Sequence, residues 1–468
     1  MNTLPGQRRT PGVVDRAARR ERLLIAALTS TMVLLVLDSS IVGVMLPSMT
    51  RDLDLSGSQG AWLVSVYLLT LAVFLPLGGR LSDAYGPVNL FRAGMTGFIL
   101  SSLGIALIPH FAGVVGCRAI AGISAAMLMP STLSLLTQAI REDRRAGAMA
   151  IYTGVGQGFA LIGPAVGGIC AQFLGWQWGF LINVPVGLAG IVLIALVRPE
   201  NTRHPVRSWD LLGVVLVVGG LSAIMTALLQ APEWGWSSPM FLTVVAVGIA
   251  LTVGFVVHAR RADDPILDIG LFANRQFATN TAALAALGFA MTVATIYGAT
   301  ALQDALHLSP AEAGISLLPL VIPLLITTRT VGARYETLGL RRVVVGGSLT
   351  LAAGLSIGAI GFGLSSLIVV CAGMLLAGSG IGAILSPLTA ATIATAPADK
   401  RGQASGLMTT CRQMGGVIGI AVFSAVIVDV HGTTATAIGF AITAVVMAAA
   451  AVAAYRGLAE DGASEAPG

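Results

Sequence analysis

Charge is the scarcest ingredient of this 468-residue sequence. Only 10% of its residues are Asp, Glu, Lys or Arg, against about 25% in ordinary soluble domains. That excludes a water-soluble domain of ordinary surface. Lysine is nearly absent, with Lys400 alone beside 26 arginines, a bias that points toward a GC-rich bacterial genome. The four cysteines, Cys117, Cys170, Cys371 and Cys411, all lie in apolar runs and match no metal spacing. They read as small apolar fillers, with no disulfide and no metal expected. The five histidines (His110, His204, His258, His307, His431) are scattered and offer no ligand spacing either. No phosphate-binding loop is present, which argues against ATP as an energy source, and no cofactor is expected. No set of paired catalytic residues lies at matching depth, so the chain does not read as an enzyme.

What is there is apolar. Hydrophobic residues make up 55%, mean hydropathy is +0.86, and glycine numbers 57, a composition suited to close helix packing in lipid. A helix needs about 20 apolar residues to cross a bilayer. Fourteen such runs begin near residues 23, 59, 90, 113, 147, 178, 210, 240, 277, 312, 343, 364, 404 and 433. Basic residues fall in every second loop. All of them except Arg51, Arg118 and Arg412 lie on one face. By the positive-inside rule that face is cytoplasmic, and both termini with it. The six tryptophans sit at span ends, where interfacial anchors belong. Met1 to Arg22 is basic but precedes no short apolar stretch with a cleavage site, so it reads as a cytoplasmic tail.

The chain repeats itself. Gly79, Asp83 and Gly86 after the second run recur in spacing as Gly332, Glu336 and Gly339 after the tenth, 253 residues later. Pro130 with Asp143, and Pro387 with Asp399, form a second pair. Six spans would need an offset nearer 200 residues. The layout expected is therefore a tail over 1–22, a six-helix bundle over 23–200, an inserted pair over 208–260, a second six-helix bundle over 276–456 and a tail over 457–468. Parallel six-span repeats are the halves of the major facilitator architecture, with a substrate site between them.

One residue stands out against this background. Asp38 is the only acid deep in an apolar run, LLIAALTSTMVLLVLDSSIVGVML. A carboxylate there costs roughly 2.5 to 3.5 kcal/mol on insertion scales and is a functional-site candidate by default. Burial favours its neutral form and contact with water or a cation its charged form, so it can load and release a proton. Arg118, entering the fourth span, could tune that release or simply snorkel to the interface. The small-xxx-small spacing of Gly154, Gly158, Gly163, Gly167 and Gly168, with Pro164 among them, reads either as a bendable close-packed helix or as static packing. Gly79, Asp83 and Gly86 read as a gating loop or an ordinary turn. Asn183, Gln303 and Arg412 are polar residues that could face a cavity. A cavity of apolar side chains and one acid would suit lipophilic or cationic compounds.

The motifs that surround these residues resemble a known group. LDSSIVGVMLP (37–47), GGRLSDAYGP (78–87), CRAIAGISAA (117–126), GVGQGFALIGPAVGG (154–168) with the following GWQWGFLINVPVG, LQDALHLSPAEAGISLLPL (302–320) and CRQMGGVIGIA (411–421) together resemble the fourteen-span drug:proton antiporters of the major facilitator superfamily, over nearly the whole length. Ala84, Pro87 and Val88 stand where the loop motif usually carries basic residues, and Ala121 where the fourth span usually has Gln. The resemblance implies an all-α fold of fourteen transmembrane helices in a 6 + 2 + 6 arrangement. It implies proton coupling through Asp38 and Arg118, an antiporter role for the fifth-span glycines, and alternating access at a central cavity. The expected partners are protons, the lipid bilayer and a small molecule, with no nucleic acid and no need of a second copy. The expected place is the bacterial inner membrane. A proton-coupled importer, or a non-transporting sensor on the same scaffold, are the rival readings. Tails of about 22 and 13 residues leave a sensor little room for an output domain.

Overall fold

The computed structural model describes residues 11–140, 142–203, 209–262, 265–332, 334–397, 400–429 and 432–458. The tails expected over 1–22 and 457–468 fall partly outside these residues. So do Arg141, His204, Arg207, Asp399 and His431.

Helices account for the architecture. The first six-helix group comprises α1 (Pro11–Asp52), α2 (Gly57–Tyr85), α3 (Pro87–Leu107), α4 (Phe111–Ala139), α5 (Glu142–Ile169), and the pair α6 (Gln177–Leu181) and α7 (Asn183–Val197). An inserted hairpin follows, α8 (Leu211–Trp234) and α9 (Pro239–Ala259). The second group opens with α10 (Arg275–Thr292), α11 (Gly298–Asp304), α12 (Pro310–Ser316), α13 (Leu318–Gly332) and the short α14 (Tyr335–Leu338). It closes with α15 (Leu340–Gly363), α16 (Leu367–Ala394), α17 (Arg401–Asp429) and α18 (Thr433–Gly457). Among the described residues, twelve spans are long and apolar enough to cross a membrane, and a thirteenth, in α5, is bent by 42° between Ala160 and Ile162. Pro164 lacks the N–H that would bond the Ala160 carbonyl, which accounts for a bend at that turn. Helix α1 starts at Pro11, so residue 22 is not a structural boundary.

The repeat is visible in the backbone. Gly86 ends α2 and begins α3 at φ +88°, and Gly339 ends α14 and begins α15 at φ +87°. A side chain at such a φ would be strained, so glycine is required at both junctions. Asn201, beyond α7, seals the first of them. Its Oδ1 accepts from the Val88 and Asn89 amides, and its Nδ2 donates to the Tyr85 carbonyl.

The two groups meet along α2 and α17, where Thr410 Oγ1 donates to the Ala72 carbonyl at 2.9 Å, and again at the arginine-poor end that carries the connector between α1 and α2. There Gly43 of α1 lies against the backbone of Thr295 and Ile296, and Gln303 Nε2 donates to the Val44 carbonyl at 2.8 Å. Gly168 of α5 abuts the Pro310 backbone, Gly314 of α12 abuts that of Pro164, and Gln172 accepts from the Ala311 amide. Toward the arginine-rich end the same face of α1 opens. Ser39, Val36 and Met32 lie four, seven and eleven residues before Gly43, on one helical stripe. Ser39 is exposed, and Val36 and Met32 are partly so. The exposure of Ser39 and Val36 marks an opening beside this face of α1 toward the arginine-rich end, which we call the gap.

The inserted hairpin does not stand apart. A cluster of Leu69 and Val73 from α2, Met225 from α8 and Val417 from α17 joins it to both groups.

Candidate functional site

Asp38 faces the interior of the first group, away from the gap. Its Oδ2 lies 2.6 Å from Arg118 Nη1, and both side chains are 1% exposed. Arg118 Nε also donates to the Leu63 carbonyl of α2 at 2.9 Å. The guanidinium carbon lies 4.4 Å from the centre of the Tyr67 ring and 5.9 Å from that of Phe180. Asn183 of α7 donates to Asp38 Oδ1 at 3.3 Å and to Ser102 Oγ of α3 at 3.2 Å. One ion pair thus ties together α1, α2, α3, α4, α6 and α7.

The geometry decides several sequence expectations. Arg118 does not snorkel; it is wholly buried and paired. Asn183 does not face a cavity: it is 0% exposed and serves as the second partner of Asp38. Gln303 is likewise buried, spent on the contact between the groups at their closed end. Arg412 of α17 is partly exposed. Trp176 is no interfacial anchor. It is 1% exposed, stacks edge-on against Phe180 and donates from Nε1 to Asp52.

The glycines of α5 divide in two. A Cβ on Gly163 would strike Ser40, and one on Gly167 would strike the Ile41 backbone, so this pair seats α5 on α1. Gly168 seats α5 on the second group. Gly154 and Gly158 have nothing within 4 Å and seat nothing. Gly79 and Asp83, expected in a loop, lie within the last turns of α2, which runs on to Tyr85; Gly79 has open space around it, Asp83 is engaged with a partner, and Gly86 alone is the obligatory turn.

Sequence reasoning missed Ser102, Tyr67 and Phe180. Ser102 carried a faint signal, a hydroxyl in the apolar run of α3. The two aromatics carried none, because aromatic side chains are ordinary in such helices. Missed too was a strap between the inserted hairpin and the second group. Asp210 accepts from the Ile266 and Gly213 amides and contacts His258 at 2.5 Å. Arg80 donates to the Pro265 carbonyl, and Lys400 pairs with Asp268 at 2.7 Å. Burial disfavours the Asp210 charge, but the bonds from Ile266, His258 and Gly213 outweigh it and hold the carboxyl below its ordinary range. Among the described residues, no group of three or more His, Cys, Asp and Glu could hold a metal.

Comparison with known proteins places this geometry. The chain is 31% identical over 424 residues to the tetracenomycin C resistance and export protein of Streptomyces glaucescens, covering 89% of this chain and 77% of that one. It is 32% identical over 440 residues to the cephamycin export protein CmcT of Amycolatopsis lactamdurans, covering 90% and 88%. Its fold superposes on the crystal structure of the POT family transporter PepTSo with a TM-score of 0.71 at 15% identity, covering 93% and 96%. The profile of the Major Facilitator Superfamily matches twice, over residues 28–327 and 278–467. The chain is a member of the Major Facilitator Superfamily, a family of membrane transporters and not of enzymes.

Proposed function

We propose that this protein is a proton-coupled antiporter that exports small amphipathic compounds, antibiotics and toxic metabolites among them, across the bacterial inner membrane. The observation that carries the reading is the buried Asp38–Arg118 pair, set in a chain whose relatives are named as export proteins. We take α17 as the fourteenth span, giving six, two and six. The arginine-rich end is then cytoplasmic, with both termini on that side, and the chain works as a monomer.

In this reading the gap faces the cytoplasm and the contacts around Gly43, Gly168 and Gly314 close the outer end. A compound enters the gap from inside. A proton that reaches Asp38 neutralises it and abolishes the charge-assisted bond to Arg118. That bond is the shared tie of α1 and α4, so its loss permits the first group to repack and the outer contacts to part. Arg118, as a neighbouring cation, favours the ionised carboxyl and so assists proton release. Gly163 and Gly167 hold α5 to α1 through the movement, and Pro164 supplies the bend. Asp83 with Gly79 and Gly86 acts as a cytoplasmic latch. One charge moving through about 100 mV supplies roughly 2.3 kcal/mol, more than a tenfold concentration ratio.

The test is exchange in proteoliposomes under an imposed pH gradient, with drug susceptibility of an efflux-deficient host measured beside it. Asp38→Asn should abolish drug-coupled proton movement while protein yield persists. A protonophore should cancel the protection that the unaltered chain gives the host. Undiminished exchange by Asp38→Asn removes Asp38 from this role.

A further inference from the structure

Of the charges set deep in the helices, Asp38 and Arg118 cancel one another. Arg412 remains. Among the described residues it has no carboxylate, no hydrogen-bond acceptor and no aromatic ring as partner. An uncompensated cation at this depth is costly unless water or a counter-ion meets it.

Its position says where a counter-ion would come from. The Arg412 backbone fills the space beside Gly288 of α10. Gly288 lies eight residues before Ile296, and Val36 lies seven before Gly43, which touches Ile296. At about 1.5 Å per residue both are about 10 to 12 Å below that contact. Arg412 is therefore level with the open stripe of α1. Around α17, Gly415, Gly416 and Gly419 pack on α10, with the stem of Arg412 against Gly288 in the same arc, while Thr410, Met414 and Val417 pack toward α2 and α8. Ile418, 41% exposed, faces lipid and lies about 120° around the helix from Arg412. Thr409, Arg412 and Gln413 are all partly exposed. Thr409 and Gln413 lie between the arc on α10 and the arc on α2, the side opposite Ile418, and Arg412 borders that opening from the α10 side.

We infer that the compounds carried are anions, such as carboxylates or phenolates on an apolar ring system, and that Arg412 is the counter-charge that holds them in the gap. This rests on the export reading above and reverses the sign of substrate expected from the acid in α1. That acid is occupied by Arg118 and offers a cation nothing. An outgoing anion and an incoming proton also move charge in the same electrical direction. Each exchange of one for one shifts two charges, so export should depend on membrane potential more steeply than export of a neutral compound does.

Two xanthene dyes of opposite charge test the idea, anionic fluorescein and cationic rhodamine 6G. Binding to the purified full-length protein is followed by fluorescence polarisation, and efflux by reconstituted vesicles in parallel. Fluorescein should bind more tightly than rhodamine 6G. Arg412→Gln should weaken fluorescein about tenfold or more, as loss of a charged hydrogen bond does, and Arg412→Lys should weaken it less. Thr409→Glu supplies a carboxylate one turn before an intact Arg412 and should weaken fluorescein equally, so a poorly folded Arg412→Gln does not decide the matter. Equal binding of both dyes, or fluorescein binding unmoved by Arg412→Gln and Thr409→Glu, overturns the inference. Arg412-dependent fluorescein binding with no dye movement in vesicles upholds the anion site and removes the export reading instead.

Discussion

Arg118 Nη1 lies 2.6 Å from Asp38 Oδ2, both side chains 1% exposed, on helices 80 residues apart in the chain. Removing one member of such a pair leaves a buried charge without compensation, at about 3 to 5 kcal/mol. Arg118→Leu and Asp38→Asn should therefore each lower the melting temperature in detergent. The double variant Asp38→Asn/Arg118→Leu should recover most of the loss. A double variant as unstable as Arg118→Leu alone would mean that the guanidinium acts through Leu63, Tyr67 and Phe180 and not through the carboxylate.

The closed end rests on glycine. The spaces beside Gly168 and Gly314 are filled by the backbones of Pro310 and Pro164. Gly168→Val should prise this contact apart and leave each group folded. In a background lacking the four native cysteines, a Val44→Cys probe should then react faster with a membrane-impermeant maleimide. Unchanged labelling would show that the contact is incidental to closure.

The fifth-span glycines make an internal control. Gly163→Leu strikes Ser40 and should stop transport while yield persists. Gly154→Leu meets open space, and transport should continue. Equal losses at the two positions would deny α5 a specific role in seating α1.

Asp210 sets a pH dependence. Its carboxyl is held below the ordinary range by bonds from Ile266, His258 and Gly213, against the opposing effect of burial. The stabilisation it gives is complete above the carboxyl's unfolded value and is lost as pH falls through the folded one. The melting-temperature difference between the unaltered chain and Asp210→Ala should be constant near neutrality and shrink in acid. A difference that grows in acid would contradict this.

Much of this was legible in the sequence, and the limits have physical causes. Hydropathy found twelve of the fourteen expected spans outright and a thirteenth as a bent pair among the described residues, because lipid demands about 20 apolar residues from each. The Gly86 and Gly339 repeat was legible because a φ near +88° leaves no other residue unstrained. Asp38 was legible because its cost is so high. Its partners were not. Asn183 meets Asp38 across 145 residues, and only matching depth in neighbouring helices brings them together. Periodicity along one helix is silent about what faces it from another. For the same reason Trp176 looked like an interfacial anchor, since a span end is at the interface only if no other helix covers it.

The cluster of Leu69, Val73, Met225 and Val417 gives the molecule two unlike flanks. On one, α8 walls the join between α2 and α17. On the other, α5 meets α12 and α13 with no further helix outside them among the described residues. A hydrophobic compound dissolved in the bilayer thus finds one flank shuttered and the other bare, and any sideways route from the lipid leaflet into the gap has a handedness fixed by the inserted hairpin.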